Sequence, residues 1–408
     1  MEERAGQADV VIIGGGIMGT SLAFALIELG VKDVVVVERG VAASGASGRT
    51  GALLRRHYTN VPEATLAQLS WQTYANWDDV VGGDCGFDPC GLIVTIPTSG
   101  EDAGNIERMR RNVAMQRRVG IEAEVVSAAE LRELQPFDSV DDIAVAAYEH
   151  DSGAVDAVAA TRLMAEAATR NGAMIFENRT VRTILRRGDR VMGVETDRGT
   201  IGADVVVCAG GAWSVPLLNE LGVDVPVTAQ RVQVAVLNRP LDMPASGTMC
   251  YVDTVAGFFC RNFGPNRTLA GVGGGEFHDI VDPFDYDQRS DQRFEAALLE
   301  SLGRRMPAMT RANVLYGYAC LYDMTPDTHP ILGPVEGIDG LQLMLGFNGA
   351  GFKKGPAIGR CLAEQIVHGR ATTVDLTPFR LSRFAEPDWD SPWSENEYSL
   401  SSDFGHKF

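Results

Sequence analysis

The chain has 408 residues, 45% hydrophobic and 22% charged, the balance of an ordinary globular protein and long enough for two domains. Its 54 carboxylates against 36 lysines and arginines leave a formal charge of −18, which argues against nucleic acid or an anionic membrane as a main partner. No apolar run approaches the roughly 20 residues of a spanning helix, and the polar stretch from Met1 to Asp9 lacks a leader pattern, so a cytoplasmic protein is expected.

In chain order, Val10 to Ile13 is a short apolar run followed by glycines, an apolar-periodic stretch from Ile17 to Leu29 stopped by Gly30, and a second buried run, Val34 to Val37, ending in Glu38. This is strand, turn, helix, strand. A loop of small residues, Val41 to Gly51, precedes a helix over Pro62 to Trp77. A strand is expected over Gly91 to Ile96, and helices over Glu107 to Arg118, Ala128 to Leu134 and Val155 to Asn171. Short strands follow at Met174 to Phe176, Val181 to Leu185, Val191 to Thr196 and Asp204 to Cys208. From Val227 to Gly274 the alternation turns to period two, which predicts an antiparallel sheet. Gly340 to Leu345 reads as a strand and Gly355 to His368 as a helix. The acidic tail after Phe384, with Trp389 and Trp393, is expected to lie on its own or a neighbouring subunit.

The segment Gly14-Gly15-Gly16-Ile17-Met18-Gly19 satisfies the dinucleotide pattern G-x-G-x-x-G. Gly14 permits the tight turn, Gly16 lets backbone approach a pyrophosphate, and Gly19 allows close helix packing. The helix N-terminus presents free N–H groups to phosphate. Glu38 ends the next strand, where an acid accepts from ribose hydroxyls and repels a 2′-phosphate. NAD and FAD remain open on these residues. The seven cysteines are an odd, scattered number. Cys85 and Cys90 are the only close pair, and without a companion His or second pair neither a disulfide nor a metal site is expected there. Only four cations are lysines: Lys32, Lys353, Lys354 and Lys407.

Four further segments occur in order: Ser44-Gly45-Ala46-Ser47-Gly48-Arg49-Thr50-Gly51, Ala209-Gly210-Gly211-Ala212-Trp213-Ser214, Tyr322-Asp323-Met324-Thr325-Pro326-Asp327 and Gly346-Phe347-Asn348-Gly349-Ala350-Gly351-Phe352-Lys353. With the glycine fingerprint they resemble the flavin amine oxidoreductases of the D-amino-acid oxidase and sarcosine oxidase type, in particular the sarcosine oxidase branch, from about Asp9 to Phe384. The resemblance implies FAD and an α/β fold, with a Rossmann-like FAD-binding domain of the glutathione-reductase type interleaved with an antiparallel-sheet substrate domain. The expected FAD-binding pieces are 7–84, 145–218 and 321–384, the substrate pieces 85–144 and 219–320, and the tail 385–408. Cofactor contacts are expected from Gly14, Gly16, Gly19, Glu38, Arg39, Ser44, Ser47, Gly48, Arg49, Thr50, Gly51, Val181, Ala209, Gly210, Trp213, Gly346, Asn348, Gly349, Gly351, Phe352 and Lys353. Helix dipole at the last of these segments suits negative charge on a reduced flavin.

On the substrate side, Arg55 and Lys353 match the family's carboxylate-binding pair; a guanidinium grips a carboxylate bidentately and an ammonium adds a point charge. Tyr322 matches a cavity-lining tyrosine. His57 is a candidate base, against a packed or solvent-facing histidine. Cys320 falls where monomeric sarcosine oxidases bond FAD covalently, against the reading of a small buried hydrophobe. The implied reaction is hydride transfer from the carbon beside nitrogen to the flavin, giving an imine that hydrolyses. The substrate that the resemblance implies is a sarcosine-like N-alkyl or cyclic amino acid; a D-amino-acid or proline-type dehydrogenase, or the flavin-bearing β subunit of a hetero-oligomer, stays open. The stretch Thr268 to Asp282-Pro283 lacks the lysine that activates oxygen in monomeric sarcosine oxidases, leaving Arg267 or Lys354 as substitutes and the acceptor, oxygen or another, undecided.

Overall fold

The computed structural model describes residues 6–98, 102–244, 248–273, 277–386 and 396–398. Most of the expected tail, including Trp389 and Trp393, lies outside the described residues.

Eight strands form the first sheet. Its order is Ile331–Pro334, Leu341–Leu345, Gly199–Cys208, Gln7–Ile13, Val34–Val37, Met174–Phe176, with the Val181–Arg187 and Arg190–Thr196 hairpin joined to Gly199–Cys208. The central strands are parallel, Val10 opposite Val34 and Val205. Parallel strands covered on both faces need apolar side chains on both, and all four residues of Val34–Val37 are buried. Val10, Ile12, Val34 and Val36 pack with residues of the helices Ile17–Glu28, Ala157–Arg170 and Gly355–His368. Val11, Ile13, Val35 and Val37 pack on the hairpin residues Ile184 and Val194 and on Leu218.

The Ile17–Glu28 helix is buried from Ile17 through Leu26 because helices flank it. Its approach to Gly355–His368 depends on Gly359, where a Cβ would lie 2.7 Å from the Ser21 backbone carbon. Asp156 starts Ala157–Arg170 by accepting from the Val158 and Ala159 N–H groups (3.0 and 2.9 Å). Gly369, at φ 75°, ends the last helix in the left-handed region.

Nine strands form the second sheet, ordered Asp279–Ile280, Thr228–Asn238, Arg267–Val272, Phe258–Asn262, Cys250–Asp253, Leu92–Pro97, Ile143–Glu149, Ala123–Ser127, with Asn313–Met324 also paired to Thr228–Asn238. Its pairings are antiparallel save one. Cys250–Asp253 runs parallel to Leu92–Pro97 and thereby joins two distant stretches of chain. Ile93 packs with Phe294, Leu298 and Leu302 of the Gln292–Arg305 helix. Leu92 and Val94, on the other side of the pleat, pack with Met109 and Val113 of Asp102–Arg118. The strands Ile143–Glu149 and Asn313–Met324 and the helix Gln292–Arg305 carry no expectation in the sequence.

Candidate active site

The main cavity, about 470 Å³, opens where Gln7–Ile13 meets its helix. Gly14 turns there at φ 115°, and a Cβ on it would lie 2.7 Å from the Ala209 carbonyl oxygen. Glycine is therefore required by both conformation and space. The first N–H of the helix, from Ile17, donates to Ser47 Oγ at 2.9 Å. A Cβ on Gly16 would approach the same Ser47 oxygen to 2.9 Å. Glu38 accepts from the N–H groups of Gly15 (2.7 Å) and Gly40 (2.8 Å), which fixes the carboxylate over the glycine turn. A carboxylate has about four acceptor positions, so capacity remains for hydroxyl donors.

Chain segments remote in sequence complete the walls. Gly14, Gly16, Glu38, Arg39, Ser44, Ser47, Arg49 and Thr50 line the cavity from the first third of the chain. Val181, Ala209, Gly210 and Trp213 line it from the middle, and Cys320, Tyr322, Gly349, Gly351 and Phe352 from the last third. Gly19, Gly48 and Gly346 line neither this cavity nor the smaller one. They serve packing: a Cβ on Gly19 would meet the Gly14 carbonyl oxygen at 2.0 Å, and one on Gly48 the Ala43 oxygen at 2.1 Å.

A second cavity, about 80 Å³, shares Thr50, Tyr322 and Gly349 with the first and so adjoins it. Gly51, Asn348, Arg55 and Lys353 line this smaller space, with Val252 and Phe259 from the second sheet. Arg55 is buried; its guanidinium donates to the His57 carbonyl oxygen and lies 4.5 Å from the centre of the Tyr58 ring. Lys353 carries no ion pair among the described residues. Burial, then the positive charges of Arg55 and Lys354, pushes its pKa well below the usual lysine value. Arg55, Lys353 and Tyr322 thus face one small space.

His57 lines neither cavity. Its ring is buried between Gln116 Nε2, 3.1 Å from Nδ1, and the Tyr398 hydroxyl, 2.8 Å from Nε2. Burial and the Arg55 charge hold its pKa down at about 3, against the Gln116 hydrogen bond. The packed alternative describes this histidine; it is neutral at ordinary pH. Of the two cations considered for oxygen activation, Lys354 is buried on Glu63 and 4.7 Å from the Tyr58 ring, and Arg267 is exposed; both line neither cavity.

Cys320 does line the main cavity, but its thiol is not one with a lowered pKa. Burial pushes it up to about 12, and Arg49 only partly offsets that. Residues not anticipated for the site include Phe284 and Tyr286. Arg39 lies 4.6 Å from the Trp213 ring centre and 5.5 Å from that of Phe284, and Arg49 donates to the Tyr286 hydroxyl at 3.2 Å. The only signal in the sequence was the turn at Asp282-Pro283, which does not say where the aromatics after it land.

A family model described as FAD dependent oxidoreductase matches residues 9–365. The chain belongs to this family of FAD-dependent oxidoreductases. The mouse mitochondrial pyruvate dehydrogenase phosphatase regulatory subunit is 30% identical over 89% of the chain, which spans only 42% of that relative's length. The sarcosine oxidase subunit beta of Rhizobium meliloti is 28% identical, with 92% of this chain and 88% of that protein covered. L-proline dehydrogenase from P. horikoshii superposes with a TM-score of 0.85 at 22% identity, covering 93% of this chain and 98% of the other.

FAD is the cofactor of this family, and the main cavity fits it. The glycine turn, the helix N-terminus and Ser47 form a cradle that a side chain at Gly16 would fill. Small residues at Ala209 and Gly210 leave backbone exposed to a flat group. In this FAD-dependent oxidoreductase the described helices include none long and apolar enough to cross a membrane.

Proposed function

We propose that the protein oxidises a small amino acid bearing a secondary or primary amine, with sarcosine-like N-alkyl and cyclic amino acids as the preferred class. The observation that carries this reading is the small cavity adjoining the cofactor cavity, with Arg55 and Lys353 on its wall and Tyr322 shared between the two spaces. Arg55 and Lys353 hold the carboxylate, and Tyr322, Val252 and Phe259 exclude water from the carbon that reacts. Bound FAD supplies the hydride acceptor. The imine product then hydrolyses. The volume of about 80 Å³ favours a substrate with little or no side chain.

The electron acceptor separates two forms of this reading. Neither cation considered for oxygen activation lines a cavity, which supports an acceptor other than oxygen. Similarity to a sarcosine oxidase subunit beta over most of both chains supports a further proposal, assembly with other subunits. The proposed compartment is the cytoplasm, supported by the odd, scattered cysteines. The proposed domains are 7–84, 145–218 and 321–384 for FAD, and 85–144 and 219–320 for substrate.

The deciding experiment is anaerobic mixing of the yellow protein with N-methyl, cyclic and D-amino acids while flavin absorbance is followed. Bleaching by the first two groups is the expected result. A protein that loses colour with none of them, yet is reduced by light, would be a binding protein instead. The thiol of Cys320 on the cavity wall also supports covalent attachment of FAD. If that bond exists, FAD stays with acid-precipitated polypeptide and Cys320→Ala releases it; complete release from wild-type protein would leave Cys320 as packing.

A further inference from the structure

Two cysteines far apart in sequence meet at the seam of the second sheet. Cys90 precedes Leu92–Pro97, and Cys250 opens the strand parallel to it, with Cys250 opposite Leu92. The Cys250 N–H donates to the Gly91 carbonyl oxygen at 2.9 Å, and the two Sγ atoms lie 3.7 Å apart. The close pair is therefore Cys90 with Cys250, not Cys90 with Cys85. Cys250 is fully buried, whereas Cys90 is partly exposed beside exposed Asp88 and Pro89.

A cation stands behind the pair. Tyr251 opposes Cys260 across the antiparallel pair, so Cys250 faces Arg261 there. Arg261 is buried, its Nε lacks a hydrogen-bond partner among the described residues, and its charge favours the thiolate of Cys250. The contact between the two sulfurs lowers the pKa of Cys90, while the same contact and burial raise that of Cys250. Cys90, the more exposed residue of the two, is thus the nucleophile, and its buried neighbour is the resolving thiol.

We propose that Cys90 and Cys250 form a redox-active dithiol that closes to an intramolecular disulfide when the protein meets a peroxide. The Cys90 thiolate attacks one peroxide oxygen, the O–O bond breaks, and Cys90 becomes a sulfenic acid as hydroxide leaves and takes up a proton to give water. Cys250 sulfur then attacks the sulfenic sulfur, the S–O bond breaks, and the Cys250 proton leaves with the departing hydroxide as a second water. Two thiols lose two electrons and two protons, and the peroxide gains them. The new bond staples the seam between the two stretches of chain. Val252, two residues along the strand from Cys250 and on the same side of the pleat, lines the smaller cavity, so the staple braces a wall of the substrate space.

The test uses reduced holoprotein freed of reductant and titrated with hydrogen peroxide, after which remaining thiols are alkylated and the unreduced digest is mapped by mass. The expected product joins the Cys90 peptide to the Cys250 peptide, lighter by two hydrogens than their sum, and vanishes on reduction. In Cys90→Ser protein Cys250 should remain an alkylated monomeric peptide. Overoxidised Cys90 alongside alkylated Cys250 in the wild type would overturn the proposal. So would two alkylated thiols at a peroxide dose that oxidises free glutathione. The wild-type map alone decides, so the result does not depend on how the variant folds.

Discussion

Lys353 shows how one residue's surroundings set its use. Burial and two neighbouring cations oppose its charged form, yet a carboxylate can be gripped by an ammonium only while it is protonated. A substrate carboxylate restores the missing counter-charge, so binding and protonation are linked. The apparent affinity for a carboxylate-bearing substrate is therefore expected to fall as pH rises through the lowered Lys353 pKa, below the roughly 10.4 of a free lysine. The check is kcat/KM against pH: Lys353→Met should lose this alkaline fall, and a substrate lacking the carboxylate should not show it in the wild type. Arg55→Met or Lys353→Met should each raise KM at least about tenfold for the carboxylate substrate, since a charged hydrogen bond contributes roughly 1.5–3 kcal/mol. Equal losses with both substrates would give these residues another role. That Arg55 and Lys353 belong together was visible in the sequence through family motifs. That His57, two residues from Arg55, faces away from the cavities was not, because its partners Gln116 and Tyr398 come from distant segments.

At the scale of elements, the glycine turn, its helix and Val34–Val37 were legible because their signals are local: an apolar run, a turn residue, a period. Asn313–Met324 was not, since its exposure follows no simple alternation and its partner Thr228–Asn238 lies far back in the chain. Contacts such as Cys90 with Cys250 are legible only once strand order is known. The segment 396–398 is a case of this kind. Asn112 Nδ2 donates to the Asn396 carbonyl oxygen at 3.1 Å, and the Tyr398 ring stacks on His57 with centroids 5.9 Å apart. Residues 396–398 thus dock against the segment that carries Arg55. Tyr398→Phe keeps the ring but leaves the buried His57 Nε2 without its 2.8 Å contact, a loss of about 1–3 kcal/mol. A lower denaturant midpoint with little change in kcat is the expected outcome; an unchanged midpoint would mean that the Tyr398 hydroxyl contact contributes nothing to stability.

Across the whole molecule, one buried charge network ties several segments together. Glu63, on the Val61–Ala75 helix, pairs with Lys354 beside the Gly355–His368 helix and with His329 Nδ1 at 2.9 Å. Glu397 of the docked tail lies 3.6 Å from His329 Nε2, and Arg383 donates to both the His329 carbonyl oxygen and Asp327. Burial alone would neutralise such groups, and the network reverses that. Burial raises the Glu63 pKa, but Lys354 and His329 bring it well below the usual value. Burial lowers the His329 pKa, but Glu63 and Glu397 bring it up to about 9. Glu63, depressed in the folded state, stabilises fully above its unfolded pKa near 4.5 and loses that contribution progressively as pH falls below it. His329, raised from 6.5 to about 9, stabilises fully below 6.5 and loses its contribution as pH climbs to about 9. Both contributions are present between about pH 4.5 and 6.5. Thermal stability should therefore decline from pH 6.5 to 9 in the wild type, by at most about 3 kcal/mol from this histidine. Other groups titrate in the same interval, among them Asp138, which burial raises to about 7, so the wild-type slope alone does not isolate His329. The difference between wild type and His329→Gln does: it should be largest near pH 6 and shrink towards pH 9, measured by unfolding at each pH. A difference constant across that range would mean that His329 titrates alike in the folded and unfolded chain and that Glu63 does not raise its pKa.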